Sequence, residues 1–148
     1  MNIEAALPTL LPRAIAWAER EAGRVALTGT CLGDSTHELA RAVGVVRPEL
    51  IRIEVVDRVP SPDDPLLRAA VAQTGMLAPD TRGLTLGYAI FIRRNEESLR
   101  LLSHEFRHVY QYEQAGSIAA FLPVYIGQIL RFGYRDAPLE VDARAHER

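Results

Sequence analysis

Two histidines and a glutamate in the stretch His104-Glu105-Phe106-Arg107-His108 form an H-E-x-x-H pattern. An α-helix has about 3.6 residues per turn, so histidines four positions apart share one face of the helix. Two imidazoles placed in this way can bind one zinc ion, and the glutamate beside them can reach a zinc-activated water molecule. The pattern therefore predicts a zinc site with His104 and His108 as ligands and Glu105 as a general base.

A catalytic zinc site needs a third protein ligand, because such sites combine three protein ligands with an open fourth position. The candidates are the acidic and histidine residues that follow the motif: Glu113, Asp136, Glu140, Asp142 and His146. Glu140 is preferred, since it lies in the first turn of a separate predicted helix that can fold back over the two histidines. Glu113 lies on the wrong side of its own helix. His146 stays open as an alternative.

The helix that carries the motif divides into two faces at about 100° per residue. The polar face holds the motif histidines together with Gln111 and Tyr112. The opposite face is mainly apolar and includes Leu102, Phe106 and Val109. We expect this helix to bury its apolar face in a core and to turn its polar face toward a cleft.

Three segments between Leu102 and His146 carry a resemblance to a known family. They are His104-Glu105-x-x-His108, Val109-Tyr110-Gln111-Tyr112 and Tyr134-x-x-x-Pro138-Leu139-Glu140-Val141-Asp142-Ala143. This part of the chain resembles the HExxH zinc metallopeptidases of the zincin fold, in the gluzincin branch, where a downstream glutamate is the third ligand. The resemblance implies Zn²⁺ as the cofactor, Glu140 as the third ligand and a peptide or protein as the substrate.

The chain departs from this family next to the third ligand. In thermolysin-like members an acidic residue four positions after that ligand supports a histidine, but the position is Arg144 here. A different residue must then hold the imidazole, and Asp142 and Gln111 are the candidates. Tyr134 or the adjacent Arg135 can donate a hydrogen bond to the substrate carbonyl. A packing tyrosine and a surface arginine form the other interpretation of that pair.

A strand is expected ahead of the active-site helix, in the apolar stretch from Leu84 to Ile92. In zincins an edge strand at this place pairs with the substrate backbone. The resemblance therefore implies substrate binding at Leu86, Gly87 and Tyr88, with the glycine allowing close backbone approach. A plain core strand is the alternative interpretation.

The remaining elements follow from apolar periodicity and from turn residues. The predicted elements are a helix over Ile3–Val25 that becomes regular near Pro12, a strand over Leu50–Val56, a helix over Leu66–Gln73, the motif helix from an Asn95 cap to Gly116, a helix over Ser117–Phe132, and a last helix from Pro138. Together they predict an α+β fold: a single, mostly helical domain over residues 1–148 with a small β-sheet ahead of the motif helix. The resemblance implies that this domain is zincin-like.

Composition excludes several classes of function. The net charge of −2 gives no electrostatic basis for binding nucleic acid. No lysine is present, which excludes lysine nucleophiles. Cys31 is the only cysteine, so no intramolecular disulfide can form, and we expect a buried, inert thiol rather than a metal ligand.

Targeting signals are not evident in the sequence. The start, Met1-Asn2-Ile3-Glu4-Ala5-Ala6, lacks the basic region of a signal peptide. The longest apolar stretch, Ile118 to Leu130, is shorter than the roughly 20 residues that span a bilayer. A cytoplasmic protein is therefore expected.

These observations predict a zinc-dependent hydrolase, a metallopeptidase that cleaves peptide bonds by glutamate-assisted attack of zinc-activated water. The alternative is a zinc-binding regulatory or interaction module without turnover. Iron, nickel or copper also suit imidazole and carboxylate ligands. The oligomeric state stays open.

Overall fold

A computed structural model describes residues 1–148 as six helices and a three-stranded sheet. The elements in chain order are α1 (Ile3–Thr28), α2 (Asp34–Ala42), β1 (Arg52–Val56), α3 (Pro65–Thr74), β2 (Gly83–Leu86), β3 (Ala89–Arg93), α4 (Leu99–Ala115), α5 (Ile118–Phe132) and α6 (Pro138–Ala145). A short 3₁₀ turn at Pro48–Leu50 precedes β1. The chain is thus a single α+β domain, mostly helical, as predicted.

The sheet has the strand order β1-β3-β2, with β1 parallel to β3 and β2 antiparallel to it. The prediction of one continuous strand from Leu84 to Ile92 is wrong, because the chain reverses at Gly87-Tyr88 and forms a hairpin. Gly87 has φ 66°, the left-handed conformation that a tight two-residue hairpin turn requires and that glycine adopts without strain.

The central strand β3 separates two apolar cores. Side chains alternate along a strand, so Phe91 packs toward α1 and α5, whereas Ile90 and Ile92 pack toward α2 and α4. Phe106 and Val109 of α4 are fully buried in the second core. The apolar face predicted for the motif helix is therefore confirmed, and it fixes the polar face of α4 on the other side.

Local signals set the ends of α4. The helix begins at Leu99 with Ser98 as its N-cap, whose hydroxyl accepts a bond from the Leu101 N–H. The Asn95 cap is wrong; that residue forms a turn with φ 69° instead. The predicted end is confirmed, since Gly116 closes α4 in the left-handed conformation.

No single helix is long and apolar enough to cross a membrane. The pair formed by α4 and α5, bent by 115° at the break between them, reaches the length and hydropathy of a span only when the two are taken together.

Helix α1 is continuous from Ile3, although two prolines lie inside it. The expectation that it becomes regular only near Pro12 is wrong. Glu4, Pro8 and Pro12 follow at four-residue spacing on the exposed face. The backbone carbonyls that the prolines deprive of an N–H partner therefore face solvent, where water can satisfy them.

Cys31 lies in the loop after α1 and is exposed. The prediction of a buried thiol is wrong, because this loop runs along the surface between α1 and α2 instead of entering the core.

Candidate metal centre

His104, His108 and Glu140 form a compact cluster whose possible ligand atoms all lie within 4.8 Å of one another. The His104 Nε2 atom is 3.2 Å from Glu140 Oε1, and the His108 Nε2 atom is 3.0 Å from Glu140 Oε2. Ligand atoms about 2.0–2.1 Å from a tetrahedral zinc ion are about 3.3 Å apart. The spacing and chemistry of these three side chains therefore fit a zinc ion.

Helix geometry and docking bring the cluster together. The two histidines lie one turn apart on α4, with ring centroids 4.9 Å apart. Glu140 lies in the first turn of α6 and is 2% exposed, so its carboxylate is held inside the protein against the imidazoles. A buried carboxylate with two imidazole partners is a favourable anionic ligand for a divalent cation.

Two glutamines from neighbouring helices fix the start of α6. The Leu139 N–H donates to Gln128 Oε1 of α5 at 2.9 Å. The Leu139 carbonyl accepts from Gln111 Nε2 of α4, also at 2.9 Å. Because Glu140 is the next residue, this pair of bonds determines where its carboxylate can reach.

Gln111 also orients His108. Its Oε1 atom lies 2.8 Å from His108 Nδ1, while its Nε2 atom donates to the Leu139 carbonyl and to Asp142 Oδ2. Because Gln111 Nε2 donates to these two oxygens, the amide oxygen must be the atom that faces His108. An amide oxygen only accepts, so Nδ1 of His108 carries the hydrogen. When the ring is neutral, the lone pair of His108 Nε2 therefore faces the cluster. The imidazole contact predicted for Gln111 is thus present, and Asp142 acts on the ring only through it.

Arg107 holds Asp142 in turn. Its guanidinium donates to both carboxylate oxygens, at 2.8 Å and 3.2 Å, and to the Val43 carbonyl. Burial alone would raise the pKa of Asp142, but the bonds from Arg107 and Gln111 lower it. A charge-compensated chain therefore leads from Arg107 to the imidazole of His108.

The other candidates for the third ligand lie outside the cluster. Glu113 points away, as predicted, and accepts bonds from the Val46 and Arg47 backbone N–H groups. His146 Nδ1 lies 2.8 Å from the Asp142 carbonyl oxygen. Glu140 is therefore the candidate that forms the cluster together with His104 and His108.

Glu105 is buried beside the cluster but does not belong to it. Its Oε1 atom accepts a 2.8 Å bond from the Thr85 hydroxyl. Its Oε2 atom has no hydrogen-bond partner within the protein and lies beside Gly83, in a cavity that His108 and Glu140 also line. This carboxylate is held in one orientation with one oxygen available to a substrate or a water.

Two tyrosines complete the surroundings of Glu140. The Tyr125 hydroxyl of α5 donates to Glu140 Oε2 at 2.7 Å, and burial followed by the Glu140 charge raises the pKa of this tyrosine. Sequence reasoning missed Tyr125, whose only signal was one hydroxyl in an otherwise apolar helix. Tyr134 lines the same cavity and is 37% exposed. Burial and then the charge of Glu140 raise the pKa of Tyr134, so it keeps its proton.

His108 and Glu140 shift each other's pKa. Burial would lower the pKa of His108, but its hydrogen bond with Glu140 and the charge of that carboxylate raise it to about 9. Burial would raise the pKa of Glu140, yet the bonds with His104 and His108 hold it well below its usual value. Glu140 is thus an anion at neutral pH.

The three residues expected to bind the substrate backbone lie in different places. Leu86 is buried and lines the cavity that contains Glu105. Gly87 and Tyr88 form the hairpin turn, and the Tyr88 hydroxyl donates to Glu113 at 2.8 Å, away from the cluster. Burial and this carboxylate raise the pKa of Tyr88 to about 12. The whole of β2, Gly83–Leu86, lines the cavity instead.

No protein-family model matches the chain, and comparison with curated proteins and with solved structures gives no match either. The chemistry of the site is therefore inferred from its own side chains.

Proposed function

We propose that this protein is a zinc-dependent hydrolase, a metallopeptidase of zincin-like, gluzincin type that acts on a peptide or protein substrate. The observation that supports it best is that a cluster of three possible ligands lies beside a separate carboxylate, that of Glu105. His104, His108 and Glu140 present their ligand atoms to one another. Glu105 stays outside that cluster, in a cavity that His108 and Glu140 also line. A purely structural metal site has no use for a fourth group, a carboxylate held separately from the ligands.

The chain's own groups match the steps of amide hydrolysis. When bound, zinc supplies a Lewis acid that makes water acidic enough to lose a proton near pH 7 and polarises a carbonyl group. Glu105 accepts that proton as the water oxygen bonds to the carbonyl carbon, and passes it to the leaving nitrogen as the C–N bond breaks. Thr85 orients Glu105 for this transfer.

Tyr134 is proposed to stabilise the oxyanion. Its hydroxyl keeps its proton at neutral pH, and it lines the cavity next to Glu140. A donor placed there can bind the carbonyl oxygen as negative charge develops on it. Tyr125 has a different role, since it is already bonded to Glu140 and holds that ligand in position.

The experiment that tests this function is the zinc content of protein purified without chelator, for wild type and Glu140→Ala. We expect about one zinc per chain in wild type and marked loss in the variant, because two imidazoles alone bind zinc weakly. Asp136→Ala is the matched control: this exposed acid lies outside the cluster, so its zinc should stay.

Three results would change the proposal. Absence of zinc from wild type after zinc is supplied would overturn it. Equal zinc in Glu140→Ala and wild type would mean that another residue is the third ligand. Zinc binding that depends on Glu140, without cleavage of any member of a peptide library, would favour the non-catalytic zinc module.

A further inference from the structure

One long apolar cavity leads away from the metal centre between α1 and α3. Its wall on α1 is a stripe that begins at Ile3 and ends at Ala18. At about 1.5 Å per residue, this stripe is about 22 Å long. Trp17 contacts the apolar clusters at both ends, so the cavity runs from one cluster to the other.

The cavity has a polar end and an apolar end. Of its 27 lining residues 20 are hydrophobic, and the only charged or imidazole side chains among them are Glu105, His108 and Glu140. The opposite end, between Ile3 and Val71, is lined by aliphatic side chains. A ligand that fills the cavity must therefore have one polar group and a long apolar remainder.

The small volume and the long apolar wall of the cavity favour a narrow, unbranched ligand. The cavity volume is about 130 Å³. A compact cavity of similar volume holds one aromatic ring, but this volume is distributed along about 22 Å of helix. This apolar wall is longer than any amino-acid side chain, so a side chain of a peptide bound at the metal centre would contact only its near end.

We propose that this cavity binds the aliphatic chain of a long-chain acyl amide, with the amide at the metal centre. This substrate class rests on the proposed hydrolase function. Water adds its oxygen to the acyl carbon, the C–N bond breaks, and Glu105 transfers the proton to the nitrogen. The products are a long-chain carboxylic acid and an amine, which is free or belongs to a peptide.

The first test measures the binding of saturated fatty acids to the wild-type protein. Trp17 is the only tryptophan and lines the cavity, so its fluorescence reports occupancy. We expect hexanoate, decanoate and palmitate to bind with increasing affinity. Each buried methylene tightens binding by up to about fourfold, which corresponds to about 0.8 kcal/mol. An affinity independent of chain length would overturn the proposal.

A matched pair of variants tests where the chain lies. Ala14 lines the cavity, whereas Ala16 is exposed on the same helix and does not. Ala14→Phe should weaken palmitate binding more than tenfold and spare hexanoate, while Ala16→Phe should bind both as wild type does. Equal palmitate binding by the two variants would contradict this placement. If Ala14→Phe fails to fold, Val71→Phe on the opposite wall provides the same test.

Chelator-treated protein separates this inference from the proposed function. Chain-length-dependent binding does not need zinc, so it should persist after zinc is removed. Persistent binding in a protein that never takes up zinc would overturn the hydrolase while leaving the chain site intact. Zinc-dependent cleavage of acetyl amides at the rate of palmitoyl amides would support the hydrolase and overturn the acyl-chain substrate.

Discussion

At the residue scale, the neutral amide of Gln111 contacts His108 at the ring nitrogen where metal-binding imidazoles often have a carboxylate partner. Gln111 accepts from His108 with its oxygen and uses its nitrogen to bond Leu139 and Asp142. The carboxylate of Asp142 therefore contacts the His108 ring only through Gln111, and its negative charge is compensated by Arg107. This arrangement fixes the tautomer of His108 without placing a second anion against it.

Gln111→Leu should lower zinc affinity by about 10- to 100-fold, because the imidazole loses the partner that fixes its tautomer and orientation. Competition with a chromogenic zinc chelator measures this change. Gln114→Leu is the control, since Gln114 is exposed on the same helix. Equal zinc affinity in Gln111→Leu and Gln114→Leu would show that the amide does not support the metal ligand.

Glu105→Gln should retain zinc and lose about 10²- to 10⁴-fold in kcat, the usual contribution of a general base. The amide keeps the shape of the side chain and can still accept the Thr85 hydroxyl bond, so the fold should be unchanged. Zinc content and peptide cleavage are measured on the same preparation. Turnover at the wild-type rate would remove Glu105 from the mechanism.

The sequence predicted His104 and His108 because a four-residue spacing on one helix is a local property. It predicted Glu140 because this acid lies in the first turn of a separate helix that can fold back over them. Tyr125 and Thr85 could not be found in this way. Their contacts depend on how α5 and β2 dock against α4, and nothing near them in the chain encodes that docking.

At the element scale, β2 approaches Glu105 so closely that a side chain in place of Gly83 would crowd its carboxylate. A Cβ atom added at Gly83 would lie 3.1 Å from Glu105 Oε2 and 3.2 Å from Cδ. Thr85, two residues farther along β2, donates to the other carboxylate oxygen, so Gly83 and Thr85 together constrain the position of Glu105.

Gly83→Ala should therefore lower turnover about tenfold or more while zinc content stays at the wild-type level, since a displacement of a few tenths of an ångström misaligns the base. Peptide cleavage and zinc content are the measurements. Gly23→Ala is the control, because a Cβ there meets no atom within 4 Å. Unchanged turnover in Gly83→Ala would show that β2 does not constrain Glu105.

Helix boundaries were predictable where a residue type determines the backbone. Gly116 ends α4 and Pro138 begins α6, as expected from their preferences at helix ends. The hairpin was missed because the stretch from Leu84 to Ile92 is mainly apolar and fits one long strand, so Gly87 was not taken as a turn. The start of α1 at Ile3 is confirmed, but its regular geometry ahead of Pro12 was missed. The prolines were expected to disturb that part of the helix, whereas their position on the exposed face makes them tolerable.

At the scale of the whole molecule, the buried pair of His108 and Glu140 links folding to pH. The pKa of His108 in the folded, metal-free protein is about 9, above its ordinary value of 6.5. The stability it contributes is fully present below pH 6.5 and is lost as the pH rises through about 9. The pKa of Glu140 is lowered from 4.5, so its contribution is present above that pH and is lost as the pH falls further.

The free energy of unfolding of the metal-free protein should therefore decrease between about pH 6.5 and 9. Urea unfolding at several pH values measures it. Glu140→Gln should flatten this dependence, because the neutral amide removes the charge that raises the pKa of His108. A decrease of equal slope in Glu140→Gln would assign the pH dependence to other groups.

Zinc should offset this dependence, because zinc and protons compete for the same imidazole nitrogens. Below pH 6.5 a protonated His108 must lose its proton before it can bind the metal, so zinc affinity is low. As the pH rises through about 9, that cost disappears and zinc stabilises the folded state more strongly. The difference in Tm between zinc-loaded and metal-free protein, measured in a zinc buffer, should thus increase across this interval. A difference that stays constant would show that the metal does not bind through His108.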